Sequence, residues 1–250
     1  MKQPNITAVL VHAAWADGSS WNKVTTRLEA EGFRVVSAQI PLTSFSDDVA
    51  ALKRVLRRQS GRVVLVGHSY GGAVTTAAAA DDPNVHALVY VAAIVPDEGE
   101  TVGEVFGREA AHAKAPALEP DEDGFLWLTV EAFRNAVAPD ATEGETSLMA
   151  ANQKPIAVKC LGEPMGHPAW KQKRSWFLIA ENDRMVSPKT QRFLAERMHS
   201  TIVSLPADHF PVLSAPEAVS KLIRDALNSA TENSSAKHSQ FNKKMRLDSN

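Results

Sequence analysis

A chain of 250 residues, 44% hydrophobic and 22% charged, can bury one sizeable core, which predicts one domain or one domain with an insertion. A formal charge of -2 provides no field to gather nucleic acid or an anionic membrane, so neither partner is expected. The single cysteine, Cys160, excludes an internal disulfide and offers no metal spacing; with no leader at the start and no apolar run of the ~18–20 residues a membrane span needs, a cytoplasmic location is expected.

In chain order, residues 6–11 form a short apolar, β-branched run that predicts a strand. A loop over 12–20 and an amphipathic helix over 21–30, closed by Gly32, follow it. Residues 33–40 predict the next strand, stopped by Pro41, and Val49, Leu52, Val55 and Leu56 set a helical spacing within 47–59. The apolar run 62–66 is a third strand, 72–78 a helix of small residues, and 85–95 a near-continuous apolar fourth strand. From 96 to about 170 the alternation is lost, which predicts an inserted cap with apolar helical patches at Phe125-Leu126-Trp127-Leu128 and Ala132-Phe133. The rhythm resumes with strand 175–180, helix 188–198, strand 201–205 and helix 216–227. The chain therefore divides into a core over 1–95 and 171–228, a cap over 96–170, and a tail over 229–250, rich in Ser, Asn and Lys, expected to be disordered. Strands alternating with helices predict an α/β fold with a mostly parallel sheet covered on both faces, its site outside the carboxyl ends of the strands.

The most informative motif is Gly67-His68-Ser69-Tyr70-Gly71, placed where the strand ending at Val66 meets the helix starting near Gly72. A G-x-S-x-G sequence in that context is a nucleophile elbow: the turn strains the serine and brings strand and helix together, so the flanking positions must lack bulk. Ser69 is the expected nucleophile. A serine hydroxyl is weak at neutral pH and needs a base, with a carboxylate to fix the tautomer of that base. His209, after strand 201–205, is the favoured base over His68, whose side chain leaves the elbow in another direction, and over His12, which is expected to hold a loop by hydrogen bonds. Asp183, in the polar loop after strand 175–180, is the favoured acid, with Asp97 as the rival and Asp208 too close in sequence to His209. Two main-chain N–H donors must hold the oxyanion, each worth roughly 3 kcal/mol. One is expected from Tyr70 and the other from the loop His12-Ala13-Ala14-Trp15, with Ala14 first and Ala13 second.

Together these residues resemble the α/β-hydrolase fold, and within it the small esterase-like branch of plant methylesterases, plant hydroxynitrile lyases and bacterial esterases. The resemblance covers about 6–227 and is most specific in residues 9–15, 66–72 and the Asp183 and His209 loops. It implies Ser69 as nucleophile, His209 as base, Asp183 as acid, Ala14 and Tyr70 as oxyanion donors, and no cofactor. The family usually has His-Gly where this chain has His12-Ala13, a change that would strain a glycine-only backbone. The plant lyases carry a threonine after the loop histidine and a lysine after the catalytic histidine. Ala13 and Phe210 stand there instead, and an aromatic ring cannot stabilise departing cyanide, so hydrolysis is expected over lysis.

Leu118, Phe125, Leu126, Trp127, Leu128 and Phe133 in the cap, with Trp15 and Phe210 flanking the site, predict an apolar guest, although cap packing accounts for many of them. The motif loops hold no arginine cluster, so a charged or phosphorylated substrate is not expected, although Lys159 or Arg108 could face the pocket. The expected partner is a small, largely apolar ester, lactone or thioester. Acyl transfer to another acceptor, lyase or perhydrolase chemistry, and a non-catalytic receptor are the alternatives.

Overall fold

The β-branched run at the start becomes β1 (Ile6–Val11), buried throughout, in the computed structural model, which describes residues 5–247 and side chains through Thr231. The other strands are β2 (Arg34–Ala38), β3 (Arg62–His68), β4 (Val85–Val91), β5 (Phe125–Leu126), β6 (Ile156–Ala157), β7 (Arg174–Ala180) and β8 (Thr201–Leu205). Six of them form one parallel sheet in the order β2-β1-β3-β4-β7-β8, while β5 and β6 make a separate antiparallel ribbon. Strand order reverses between β1 and β3, the position where open α/β sheets leave a crevice at the carboxyl ends of the strands.

Side-chain alternation sends the two faces of the sheet into separate cores. Val9, Val11, Leu65 and Phe177 pack on one face with Leu52 and Val74; Leu10, Val64, Val66, Val89 and Leu178 pack on the other with Val24, Val219 and Leu222. The covering helices are α1 (Asn22–Ala30), α2 (Phe45–Leu56) and α3 (Tyr70–Ala78), followed by the short α4 (Val102–Phe106), α5 (Val130–Ala132), α6 (Glu143–Asn152) and α7 (Lys159–Gly162). After β7 come α8 (Pro188–Arg197), α9 (Pro211–Ser214) and α10 (Pro216–Leu247). Ser44 caps α2 by accepting from the Asp47 N–H, a contact worth about 1 kcal/mol, and Leu52 and Leu56 seat the helix on the sheet. No helix among the described residues is long and apolar enough to cross a membrane.

The structure departs from the sequence expectations in three places. The fourth strand stops at Val91 rather than residue 95, because Ala92 turns into the left-handed region at φ 45° while the chain stays buried. Phe125 and Leu126 are extended, not helical, since they pair with Ala157 and Ile156. The last helix passes residue 227 into the segment expected to be disordered. Ala230 continues the apolar stripe of Val219, Ile223 and Leu227 and is buried, and the Arg174 guanidinium donates to Ser229 Oγ. For the rest of that tail, side chains beyond Thr231 and all of residues 248–250 lie outside the described residues.

Candidate active site

Ser69 joins β3 to α3 at φ 52° and ψ -122°, a conformation that costs a non-glycine residue about 1–3 kcal/mol unless its surroundings impose it. Main-chain bonds impose it here: Ser69 N–H donates to Val91 O at 3.1 Å, and the Ile94 and Gly72 N–H groups donate to Ser69 O at 3.1 and 2.9 Å. The bend after β4 thus serves to brace the elbow. A Cβ at Gly67 would lie 2.6 Å from Gly71 O, and one at Gly71 would lie 2.6 Å from His12 O, so both positions tolerate only glycine. Gly71→Ala is expected to lower the melting temperature by the several degrees that an overpacking cost of about 1–3 kcal/mol implies. An unchanged melting temperature would mean that α3 can retreat from His12.

The structure brings Ser69, His209 and Asp183 into one chain of hydrogen bonds. Ser69 Oγ and His209 Nε2 are 2.9 Å apart, and His209 Nδ1 is 2.7 Å from Asp183 Oδ2. All three side chains are buried. Asp183 also accepts from the Met185 and Val186 N–H groups at 2.7 and 2.9 Å and from Gln191 Nε2 at 2.7 Å, so its oxygens are locked and only an acceptor faces His209. That fixes the proton on Nδ1 and leaves the Nε2 lone pair for the serine hydroxyl. Gln191 went unnoticed in the sequence; its position on α8, eight residues after the carboxylate, was the available signal.

The rival groups fall elsewhere. Asp97 pairs with Lys171 Nζ at 2.7 Å near the surface. His12 donates from Nδ1 to Ala13 O and accepts the Ile40 N–H at Nε2, holding two loops together, and burial lowers it to about 4. His68 is engaged elsewhere: its Nε2–H donates to His209 O at 2.8 Å, and its ring meets Phe210 edge-on at 4.7 Å. Burial, reinforced by the neighbouring His209, lowers His68 to about 3, so no permanent cation sits beside His209. Asp208 steadies the same loop: it accepts from Phe210 N–H and Ser214 Oγ at 3.0 and 2.8 Å and from the Asp140 N–H at 3.0 Å.

Above Ser69 lies a narrow cavity of about 30 Å³, lined by Ala14, Trp15, Tyr70, Ile94, Val102, Phe106, Leu118, Ile156, Leu161, Met185 and His209. Tyr70 begins α3, where first-turn N–H groups lack helical acceptors, and among the described residues neither its N–H nor that of Ala14 has a protein acceptor. The positive φ of the first loop falls on Trp15, at 56°, and not on Ala13, so the departure from glycine carries no backbone strain. Trp15 Nε1 donates to Leu126 O at 2.8 Å and ties this loop to β5. Of the expected pocket residues, Leu118 and Trp15 reach the cavity. Ala13 packs into the core, and Phe210 lines a separate outer groove and supports His68. The other residues expected there stay out: Phe125, Leu126, Leu128 and Phe133 are taken up in packing and Trp127 is exposed. Arg108 lies over the Phe193 ring and Lys159 is on the surface, so neither expected cation lines the cavity. Phe106, Leu118 and Met185 open onto an outer bay with Glu109, His112 and Arg184. Among the described residues no group of His, Cys, Asp and Glu is placed to hold a metal ion.

A parallel sheet with this strand order and a strained serine over its carboxyl edge defines a hydrolase of the α/β class. The family model described as the alpha/beta hydrolase family matches residues 8–222, and the chain belongs to that family. It is 27% identical over 250 residues to an alpha/beta hydrolase, nvfD, from Aspergillus novofumigatus, covering 90% of this chain and 97% of that one. It is 26% identical to a pyrethroid hydrolase from Sphingobium wenxiniae, covering 90% and 88% of the two chains. The crystal structure of polyneuridine aldehyde esterase superposes with a TM-score of 0.78 at 17% identity, over 89% of this chain and 99% of that one, a likeness of fold.

Proposed function

We propose that the protein is a cofactor-independent serine esterase that cleaves small, neutral, largely apolar carboxylic esters through an acyl-enzyme on Ser69. The observation that carries this reading is the Ser69–His209–Asp183 hydrogen-bond chain, at 2.9 and 2.7 Å, beneath a cavity whose wall is almost wholly apolar. The similarity to a protein named a pyrethroid hydrolase supports it.

His209 Nε2 takes the Ser69 proton as Oγ attacks the ester carbon, and the Ala14 and Tyr70 N–H groups hold the oxyanion. When the tetrahedral intermediate collapses, the bond to the alcohol oxygen breaks and His209 returns the proton to that oxygen. Water then attacks the acyl carbon, giving a proton to the same nitrogen, and the acid leaves as Ser69 regains its hydrogen. His209 is cationic between transfers, and the Asp183 carboxylate stabilises that cation.

The test is a p-nitrophenyl ester series from acetate to decanoate, with the hemisuccinate as a charged comparator. Turnover is expected to peak at short or medium acyl length, and the hemisuccinate should be at least about tenfold slower than butyrate, since its carboxylate would enter an apolar wall without a partner. No turnover of any ester, with turnover of a cyanohydrin, would replace hydrolysis by lysis.

A further inference from the structure

One buried carboxylate beside the site is not used by these steps. Asp48 on α2 is fully enclosed, and its oxygens collect donors from three segments around the Ser69 cavity. Leu42 N–H reaches Oδ1 at 2.6 Å, Tyr70 Oη–H reaches Oδ2 at 2.5 Å, and Cys160 Sγ–H reaches Oδ2 at 3.6 Å. Leu42 lies in the turn after β2, and its carbonyl accepts the N–H of Ala157 on β6. Tyr70 directly follows the nucleophile. Cys160 lies on α7 next to Leu161, which lines the cavity.

The phase of α2 puts position 48 among Phe45, Ala51, Leu52 and Leu56, the core side of the helix, where an apolar residue would be the economical choice. Burial raises the Asp48 carboxyl above its ordinary range, and hydrogen bonds from Tyr70, Leu42 and Cys160, with the charge of Lys154, work against that rise. Burial and the adjacent carboxylate also raise the Tyr70 phenol and push the Cys160 thiol up to about 12, so both remain protonated donors near neutral pH. A charge placed at this depth and met by donors from separate segments fixes those segments relative to one another.

We propose that Asp48 is a positioning residue for the oxyanion site: by holding Tyr70 Oη it orients the first turn of α3, and with it the Tyr70 N–H that faces the reacting carbonyl. Through Cys160 and Leu42 the same carboxylate keeps the α7 and β6 wall of the cavity in register with that donor. The inference rests on the reading of Ser69 as nucleophile. Its effect falls on the transition state, because only there does the carbonyl oxygen carry the charge the N–H must meet.

Wild type, Asp48→Asn, Tyr70→Phe and the double variant are compared with p-nitrophenyl butyrate and with butylboronic acid, whose tetrahedral adduct on a serine mimics the intermediate. Tyr70→Phe keeps the N–H and removes only the phenolic donor. It is expected to lower kcat about tenfold, with KM within about twofold, and to weaken the boronate by a similar factor. Asp48→Asn should do at least as much, and the double variant no more than the worse single one, as two parts of one contact require. Folded variants that lose melting temperature but keep wild-type kcat and boronate affinity would overturn the proposal, leaving Asp48 a packing residue only. If Asp48→Asn does not fold, Tyr70→Phe decides alone. A wild type that neither binds the boronate nor is labelled by a fluorophosphonate would instead overturn the reading of Ser69 and this inference with it, so the two failures are told apart.

Discussion

Ser69→Ala is expected to lower kcat/KM for p-nitrophenyl butyrate by about 10⁵–10⁶ while leaving the fold intact. The side chain and the fold separate cleanly here. The elbow is held by main-chain bonds from Ser69 N–H to Val91 O and from Ile94 and Gly72 to Ser69 O, none of which needs the hydroxyl. Alanine meets the same left-handed cost as serine at φ 52°, so the melting temperature should move little. What disappears is the atom 2.9 Å from His209 Nε2, and with it the proposed acyl-enzyme. His209→Ala should be about as damaging, and the double variant scarcely worse, since the hydroxyl and its base act as one unit. Residual rate above water is expected from the Ala14 and Tyr70 donors alone. Activity in Ser69→Ala close to wild type would move the nucleophile elsewhere.

The parts legible in the sequence are those where backbone chemistry forces residue type. Gly67 and Gly71 are legible because a Cβ at either would strike main-chain atoms at 2.6 Å, a demand that no other residue meets. β1 and β7 are legible because buried parallel strands are continuous apolar runs bounded by polar loops. The segment between β4 and β7 is read less well. Phe125 and Leu126 are too short a run to carry a period, and their extended form depends on Ile156 and Ala157, about thirty residues away along the chain. Pocket residues fail for the same reason. Phe106, Ile156 and Leu161 reach Ser69 only through the packing of α4, β6 and α7, whereas Trp127 and Phe133, more conspicuous by composition, do not.

Asp48 illustrates the other limit. As an acidic residue in the first turn of a helix it reads as a favourable partner of the helix dipole, which is true of its neighbour Asp47 on the surface. Its burial against Tyr70 follows from how α2 lies across α3, and only the fold reveals that. Asp208 is similar: proximity to His209 argues against it as the acid, and its work in holding Phe210 N–H, Ser214 Oγ and Asp140 N–H emerges with the loop.

Asp183→Asn is expected to lower kcat by about 10⁴. The amide is isosteric, and with its oxygen toward the Met185 and Val186 N–H groups it keeps the contacts now made at 2.7 and 2.9 Å. Its NH₂ then takes the place of Oδ2, facing Gln191 Nε2 and His209 Nδ1, where two acceptors are needed and none remains. His209 answers by accepting at Nδ1 and carrying its proton on Nε2, pointed at the hydroxyl it should deprotonate. The cation formed in the transition state also loses its counter-charge. Asp97→Asn removes a pair with Lys171 between side chains about one-third exposed, a contact worth about 0–1 kcal/mol, so kcat should stay within about twofold of wild type. Both variants are measured with p-nitrophenyl butyrate beside their melting curves. Wild-type turnover in Asp183→Asn with an inactive, folded Asp97→Asn would transfer the acid's role to Asp97 and require His209 to leave the position in which Asp183 holds it.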